Sequence, residues 1–265
     1  YGVIIVNMKK PEVTLENYEQ VYNYYADYQQ PLAGARLGHR VMSLMFRPQV
    51  SYSPNAKDAI VDLINDSSKR TIIAVNHLTD NDQYVVASMA HREKAFRQMI
   101  GNTFIQGKEP LFHHPNRLIR PLLRGGVDIM GAIPAFRKKD VGSEQEQLRH
   151  DATAKMLDVS TYKMLRGKLM AVFPEGTRNK ENPEKVQELK PGIAVVAGRV
   201  AVHHEVGIIP IGFAYNEEDK RHPQMWVGEP MYEEDYSPEQ FLPKLQQNLQ
   251  DAVNLALINT DQTYM

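Results

Sequence analysis

Residues 70–82 read RTIIAVNHLTDND, an apolar run that ends in a group of polar residues. The run at residues 70–76 is short and rich in β-branched side chains, which predicts a buried strand. A helical pattern follows from about residue 82 to residue 98. The polar residues between them therefore lie at the carboxyl end of a strand, which is where active and binding sites are usually found in α/β folds.

Strand and helix patterns alternate along the rest of the chain. Two more apolar strands are predicted, at residues 169–173 (LMAVF) and 207–215 (GIIPIGFAY). Helical patterns end near residue 64 and span residues 192–202 and 242–258. This alternation predicts an α/β fold with a largely parallel or mixed central sheet flanked by helices. Pro210, inside a strand, indicates an edge strand or a bulge.

Residues 14–46 predict two helices broken at Pro31. The second helix carries an apolar stripe with cations along its edge: Leu37, Val41, Leu44 and Met45, with Arg36, Arg40 and Arg47. Such a stripe packs on its own domain, or it lies in a membrane interface with its cations on headgroups. We divide the chain into an N-terminal helical segment, residues 1–56, and an α/β domain, residues 57–265.

Composition narrows the class of protein. The chain has 265 residues, of which 42% are hydrophobic and 24% charged, as expected for one sizeable globular domain. It has no cysteine, which excludes disulfides, thiolate metal sites and a cysteine nucleophile. Its longest stretch without a charged residue, 206–216, is far short of the roughly 18 apolar residues that a membrane-spanning helix needs.

The net charge of −1 conceals an uneven distribution. Between residues 91 and 139, ten basic residues stand against three acidic ones, whereas residues 217–239 are mainly acidic. A basic face attracts the phosphates of lipids, nucleotide carriers or nucleic acids, although such a run is also typical of a solvated surface.

His77 follows the first strand, and Asp82 comes after four intervening residues, where the next helix should begin. The turn between them can fold the carboxylate back onto the imidazole. That contact fixes the tautomer and leaves the other ring nitrogen to take a proton from a hydroxyl. The spacing thus indicates a general base that acts without a protein nucleophile. Alternatively, Thr79 and Asp80 cap the helix beside a structural histidine.

Three more blocks carry candidate site residues. Residues 173–178 read FPEGTR directly after a strand. In this block Gly176 suits a tight turn, and Arg178 can bind a phosphate with two parallel hydrogen bonds. Glu175 holds that guanidinium or a substrate hydroxyl, unless the block is only a turn with a surface ion pair. Residues 131–137 (GAIPAFR) end in Arg137, and residues 208–212 (IIPIG) line an apolar pocket or the core.

In order and spacing these four blocks resemble the signature of the glycerolipid acyltransferases, which include the lysophosphatidic acid acyltransferases. The resemblance covers roughly residues 72–212. Residues 189–192 (LKPG) also resemble the family's Lys-x-Gly element after the third block. The FPEGTR run is highly specific for this family. The other three blocks are informative chiefly because they occur together with it.

The resemblance implies that His77 is the general base and that Asp82 orients it. It implies an acceptor-binding set with the arginines on the phosphate: Arg137, Glu175, Gly176, Thr177, Arg178 and Lys190. The implied activity moves a fatty acyl group from acyl-CoA or an acyl-carrier protein to a hydroxyl of a phosphate-bearing glycerolipid such as lysophosphatidic acid. Another lysophospholipid or a glycolipid is the alternative acceptor.

Such a transfer needs no metal, redox cofactor or nucleic acid, and we expect the enzyme in the cytoplasm, peripheral on the inner face of a membrane. Two other classes stay open. A metal-assisted hydrolase would draw its ligands from acidic and histidine side chains: His77, Asp80, Asp82, His113, His114, His203 and His204. A non-catalytic membrane-binding protein would use the basic face and the apolar stripe.

Overall fold

The computed structural model describes residues 10–108, 112, 120–138, 142–216 and 219–263. Two histidines named from the sequence, His113 and His114, lie outside these ranges, as do two members of the basic run, Arg117 and Lys139.

The described part of the chain forms a seven-stranded sheet with helices on both faces. The strands are β1 (Gln49–Tyr52), β2 (Lys69–Val75), β3 (Thr103–Lys108), β4 (Ala132–Ala135), β5 (Leu169–Val172), β6 (Glu205–Ala214) and β7 (Gln224–Val227). The helices are α1 (Tyr18–Asp27), α2 (Leu32–Met45), α3 (Ala56–Asn65), α4 (Asp82–Arg92), α5 (Arg120–Ile129), α6 (Glu146–Leu165), α7 (Gly192–Ala201) and α8 (Pro238–Thr263).

The sheet is mixed, with strand order β1-β7-β6-β2-β5-β3-β4. Only β6 and β7 pair antiparallel; the other neighbours pair parallel. Strands β2 to β6 therefore all end at one edge of the sheet, which we call the carboxyl edge. The predicted α/β fold with a mixed sheet and flanking helices is confirmed.

The core lies in two layers, one on each face of the sheet. Along β2, Ile72 and Ala74 face the layer built by α1, α6, α7 and α8. Ile73 and Val75 face the opposite layer, built by α3 and α4. Because helices cover both faces, both sets of alternating side chains are apolar, and β2 reads in the sequence as a continuous apolar run.

The helix after β2 is shorter than the sequence predicts. The helix expected to continue to residue 98 ends at Arg92, and a 3₁₀ turn, Lys94–Met99, follows. Glu93 between them is extended, and its carboxylate accepts a hydrogen bond from Tyr52 (2.9 Å). The short strands β1, β3, β4 and β7 were not recognised from the sequence.

Pro210 lies in β6, an internal strand, so the edge-strand interpretation is wrong. Pairing between β6 and β7 extends only from Ala214 to Ile211. The Pro210 carbonyl accepts the N–H of Gly228, the residue after β7 (2.9 Å). Pro210 lies just outside the Ile211–Val227 pair that ends the β6–β7 ladder, so no pair of that ladder needs the N–H that proline lacks.

The N-terminal segment forms the two predicted helices, α1 and α2, with Pro31 between them. At the end of α1, the Lys163 ammonium donates to the carbonyls of Tyr25 (3.0 Å) and Tyr28 (3.1 Å). Burial lowers the pKa of Lys163 to about 8. The segment also contributes β1 to the sheet, and the division at residue 56 stays a prediction.

The apolar stripe of α2 does not pack on the described part of the chain. Leu37 is 64% exposed and Leu44 is 62% exposed. The opposite face of the helix, with Ala35, His39 and Ser43, is buried, and α2 packs against α4. Of the two interpretations of the stripe, packing on its own domain is therefore wrong.

Gly212 in β6 provides a test of how closely α8 packs on the sheet. A Cβ built on Gly212 would lie 2.3 Å from backbone atoms of Ala252 and Val253 in α8. Gly212→Ala must push α8 off the sheet, and we expect the free energy of unfolding to fall by about 1–3 kcal/mol. Gly125→Ala is the control, because nothing lies within 4 Å of its Cβ position. Denaturant unfolding measures both, and equal stabilities would contradict the described contact.

Candidate active site

The carboxylate of Asp82 holds the His77 imidazole. Asp82 is the first residue of α4, is fully buried, and accepts a hydrogen bond from His77 Nδ1 at 2.8 Å. The residue at the N-cap position, Asn81, makes no side-chain cap hydrogen bond. The predicted fold-back of the carboxylate onto the ring is therefore confirmed. The Thr79 hydroxyl also accepts the N–H of Asn81 (3.1 Å), so Thr79 caps the start of the helix beside this contact.

Four other donors reach the same carboxylate. The backbone N–H groups of Leu78 (2.6 Å) and Thr79 (2.9 Å) donate to Oδ2. The Thr79 hydroxyl (2.6 Å) and the Tyr215 hydroxyl (2.7 Å) donate to Oδ1. An ionised carboxylate has about four lone-pair sites, so these donors and His77 saturate it. Asp82 can orient the ring but has no remaining site for a substrate.

Tyr215 was not identified as a site residue from the sequence. It directly follows β6 at the carboxyl edge, and that position was the available signal. Burial raises the pKa of Tyr215 above its usual range, and the nearby Asp82 carboxylate acts in the same direction. The phenol therefore keeps its proton and remains a donor.

The His77 ring has one defined orientation. It stacks on Phe173, with ring centroids 4.3 Å apart and planes 18° from parallel, and its side chain is 18% exposed. Because a carboxylate can only accept, the proton of the contact with Asp82 lies on Nδ1. The other ring nitrogen, Nε2, is then the basic one. This is the arrangement that a general base requires.

Glu175 joins the FPEGTR block to the backbone of His77. It is 1% exposed, and its Oε1 accepts the His77 N–H (2.7 Å) while Oε2 accepts the Gln187 N–H (3.0 Å). Burial raises its pKa, although these two N–H groups act in the opposite direction. The contacts give Glu175 a positioning role. Its predicted contact with the acceptor stays a prediction.

One further backbone hydrogen bond holds the loop after β5 against the His77 turn, and a second closes that loop on itself. The N–H of Asn179 donates to the His77 carbonyl (2.7 Å), and the N–H of Lys190 donates to the Pro174 carbonyl (2.8 Å). Gly176 has a positive φ of 68° in the tight turn that was predicted. On this loop, three of the predicted acceptor-binding residues are exposed: Gly176, Thr177 and Lys190.

Arg178 pairs with Asp80 rather than with Glu175. Its Nη1 contacts Asp80 Oδ2, and the Nζ of Lys108 contacts Asp80 Oδ1 at 3.2 Å. We call Lys108 and Arg178 the cation pair. Lys108 ends β3 at the carboxyl edge, and it was counted in the basic run but not predicted as a site residue, because β3 was not recognised.

Arg137 lies on the same edge but farther away. It follows β4, which is separated from β5 by β3. At a spacing of about 4.8 Å between strands, β4 lies about 10 Å from β5 and about 14 Å from β2. The sheet thus brings His77, Asp82, Glu175 and Arg178 together and places Arg137 at the outer strand.

No three histidine or acidic side chains in the described ranges come together as a possible metal site. Within those same ranges, no helix combines the length and the apolar character needed to traverse a bilayer.

Comparison with known proteins identifies the family. A comparison with curated proteins gives no match. A family model described as Acyltransferase matches residues 51–214, more than half of the chain, and this range contains all four blocks and the carboxyl edge. The chain therefore belongs to the acyltransferase family, which includes the lysophosphatidic acid (1-acylglycerol-3-phosphate) acyltransferases.

Proposed function

We propose that this acyltransferase moves a fatty acyl group from acyl-CoA or an acyl-carrier protein to a hydroxyl of a phosphate-bearing glycerolipid such as lysophosphatidic acid. One observation carries the proposal. His77, held by Asp82 at 2.8 Å, lies beside the loop that presents Arg178, because the Asn179 N–H donates to the His77 carbonyl. A base for a hydroxyl and a cation for a phosphate are thus held together.

The mechanism uses His77 as the general base. Nε2 takes the proton of the acceptor hydroxyl while the oxygen attacks the thioester carbonyl. Asp82 stabilises the imidazolium that forms. The C–S bond then breaks, the imidazolium returns its proton to the leaving thiolate, and an ester and a free thiol remain.

Cations at the carboxyl edge hold the acceptor in this mechanism. Arg178 binds the phosphate, Lys190 adds charge at the rim, and Arg137 acts from the outer strand. Fixing the phosphate places the free hydroxyl near Nε2, which turns an encounter between two molecules into a reaction within one complex. Gly176 and Thr177 line the loop that presents Arg178.

We also propose that α2 docks the enzyme on a membrane surface. Five of the nine exposed large apolar side chains in the described ranges belong to α2: Leu32, Leu37, Val41, Leu44 and Met45. Arg36, Arg40 and Arg47 are exposed beside them. The end of α2 lies near the active site, because Phe46 stacks on Tyr84 in the first turn of α4 (6.4 Å).

The two other classes have less support. For a metal-assisted hydrolase, Asp80 would have to bind a cation while its two oxygens contact Lys108 and Arg178. A purely membrane-binding protein would not need an imidazole that Asp82 and Phe173 hold in one orientation.

Replacing the proposed base should abolish most activity. We expect His77→Ala to lower kcat by about 10²–10⁴-fold and leave the fold intact, because general-base catalysis contributes about this much. The control is His203→Ala, an exposed histidine that precedes β6 at the opposite edge of the sheet. Acyl transfer to lysophosphatidic acid measures both. A kcat for His77→Ala within twofold of wild type would refute the assignment.

Removing one donor from Asp82 should lower kcat without changing acceptor affinity. We expect Tyr215→Phe to lower kcat by about 10- to 100-fold, because a hydrogen bond to a charged group contributes about 1.5–3 kcal/mol. The acceptor KM should stay within twofold, since Tyr215 contacts Asp82 and not the acceptor. Tyr236→Phe, which removes a buried hydroxyl from the Val206 carbonyl, is the control for stability alone. Equal kcat values for the two variants would contradict this role.

Acidic substitutions in the stripe should release the protein from membranes. We expect Leu37→Glu/Leu44→Glu to lower partitioning onto anionic lipid vesicles at least tenfold, because each leucine loses about 1.5–3 kcal/mol of burial. Val202→Glu, at another exposed apolar residue, should bind like wild type. Vesicle sedimentation measures all three proteins. Unchanged binding by the double variant would mean that α2 is not the docking surface.

A further inference from the structure

We propose that the carboxylate of Asp80 occupies the position of the acceptor's phosphate on the cation pair and competes with it, so that Asp80 sets the affinity and selectivity of the site for phosphate. This inference rests on the proposed function, because it assumes that the acceptor's phosphate binds Arg178.

The geometry is that of a bound anion. Asp80 lies in the turn between β2 and α4, and each of its two oxygens contacts a different cation, one at the end of β3 and one after β5. Two phosphate oxygens on one phosphorus can make the same two contacts. Asp80 thus joins three loops at the point where a phosphate would join them.

The charges favour an anion at this position. Partial burial by itself would raise the pKa of Asp80, but Lys108, Arg178 and Lys180 outweigh it and hold that pKa below its usual value. Asp80 is therefore ionised at neutral pH. Two cations contact this carboxylate and Lys180 adds positive charge nearby, so a phosphate dianion would balance the charge of the two cations better than a single carboxylate does.

Exposure makes the carboxylate displaceable. The Asp80 side chain is 62% exposed, whereas Arg178 beneath it is 24% exposed. Exposed ion pairs contribute little net stability because water and salt screen them. An incoming phosphate can therefore take over both cations while Asp80 rotates into solvent. Glu175, which is buried and bonded to two backbone N–H groups, has no such freedom.

The consequence is selectivity. A phosphate-bearing acceptor must displace Asp80. Its dianion interacts more strongly with the two cations than the carboxylate that it replaces. A neutral acceptor such as a monoacylglycerol leaves Asp80 in place and neither gains nor loses this contact. Removing the carboxylate should therefore improve binding of phosphate compounds alone.

The test compares Asp80→Asn with wild type and with Asp158→Asn. Asp158 is a matched control, because it is equally exposed and pairs with Arg199 between α6 and α7, away from the carboxyl edge. Calorimetric titration with glycerol 3-phosphate measures the binding step without acyl transfer. We expect Asp80→Asn to bind glycerol 3-phosphate about three- to tenfold more tightly at low salt, with the gain shrinking at high salt. Asp158→Asn should bind like wild type.

A kinetic arm gives the selectivity. The KM for lysophosphatidic acid should fall by a similar factor in Asp80→Asn, while the KM for a monoacylglycerol should not change. Unchanged or weaker glycerol 3-phosphate binding in Asp80→Asn overturns the proposal, since it would mean that Asp80 only positions Arg178. Tighter binding without acyl transfer to any acceptor would support the role of Asp80 and refute the proposed function instead.

Discussion

The buried carboxylate of Asp82 organises this site. It accepts hydrogen bonds from the imidazole of His77, from the turn after β2 and from the tyrosine that follows β6. A buried carboxylate is tolerated only when its lone pairs are satisfied, so these donors are as necessary to the fold as to the ring. One anion therefore joins two adjacent strands of the sheet and gives the imidazole a single orientation.

Three carboxylates near the histidine have different surroundings and different tasks. Asp82 is fully buried and saturated, and it orients the ring. Glu175 is buried against backbone N–H groups and holds the loop after β5. Asp80 is exposed between two cations and can leave them. Their chemical identity is nearly the same, and burial decides which of them is fixed and which can exchange with a substrate.

Sequence patterns predicted the parts of the structure that depend on local order. The alternation of strand and helix patterns indicated the fold class. The spacing from His77 to Asp82 indicated the histidine–carboxylate contact, because a short turn fixes it. The partner of Arg178 was not predictable, since Glu175 is its neighbour in the sequence whereas Asp80 is 98 residues away and reaches it only through the fold. Tyr215 and Lys108 enter the site only through strand order, which a single sequence does not reveal.

The exposed stripe of α2 is a second feature that the sequence identified but could not place. Helical spacing identified the stripe, but the choice between burial and exposure depends on which face packs on α4. Small and polar residues, Ala35, His39 and Ser43, form that packed face, which inverts the usual expectation that the apolar face turns inward. Pro210 was likewise interpretable only once the end of β7 was known.

The most direct measurement is product analysis of the wild-type protein. The protein is incubated with acyl-CoA or acyl-carrier protein and a mixed panel of lysolipids and glycerol phosphates, and the products are identified by mass spectrometry. We expect a phosphate-bearing glycerolipid to gain one acyl group while an equal amount of free thiol appears. Release of free fatty acid and thiol without any acylated acceptor would contradict it, because the attacking group would then be water.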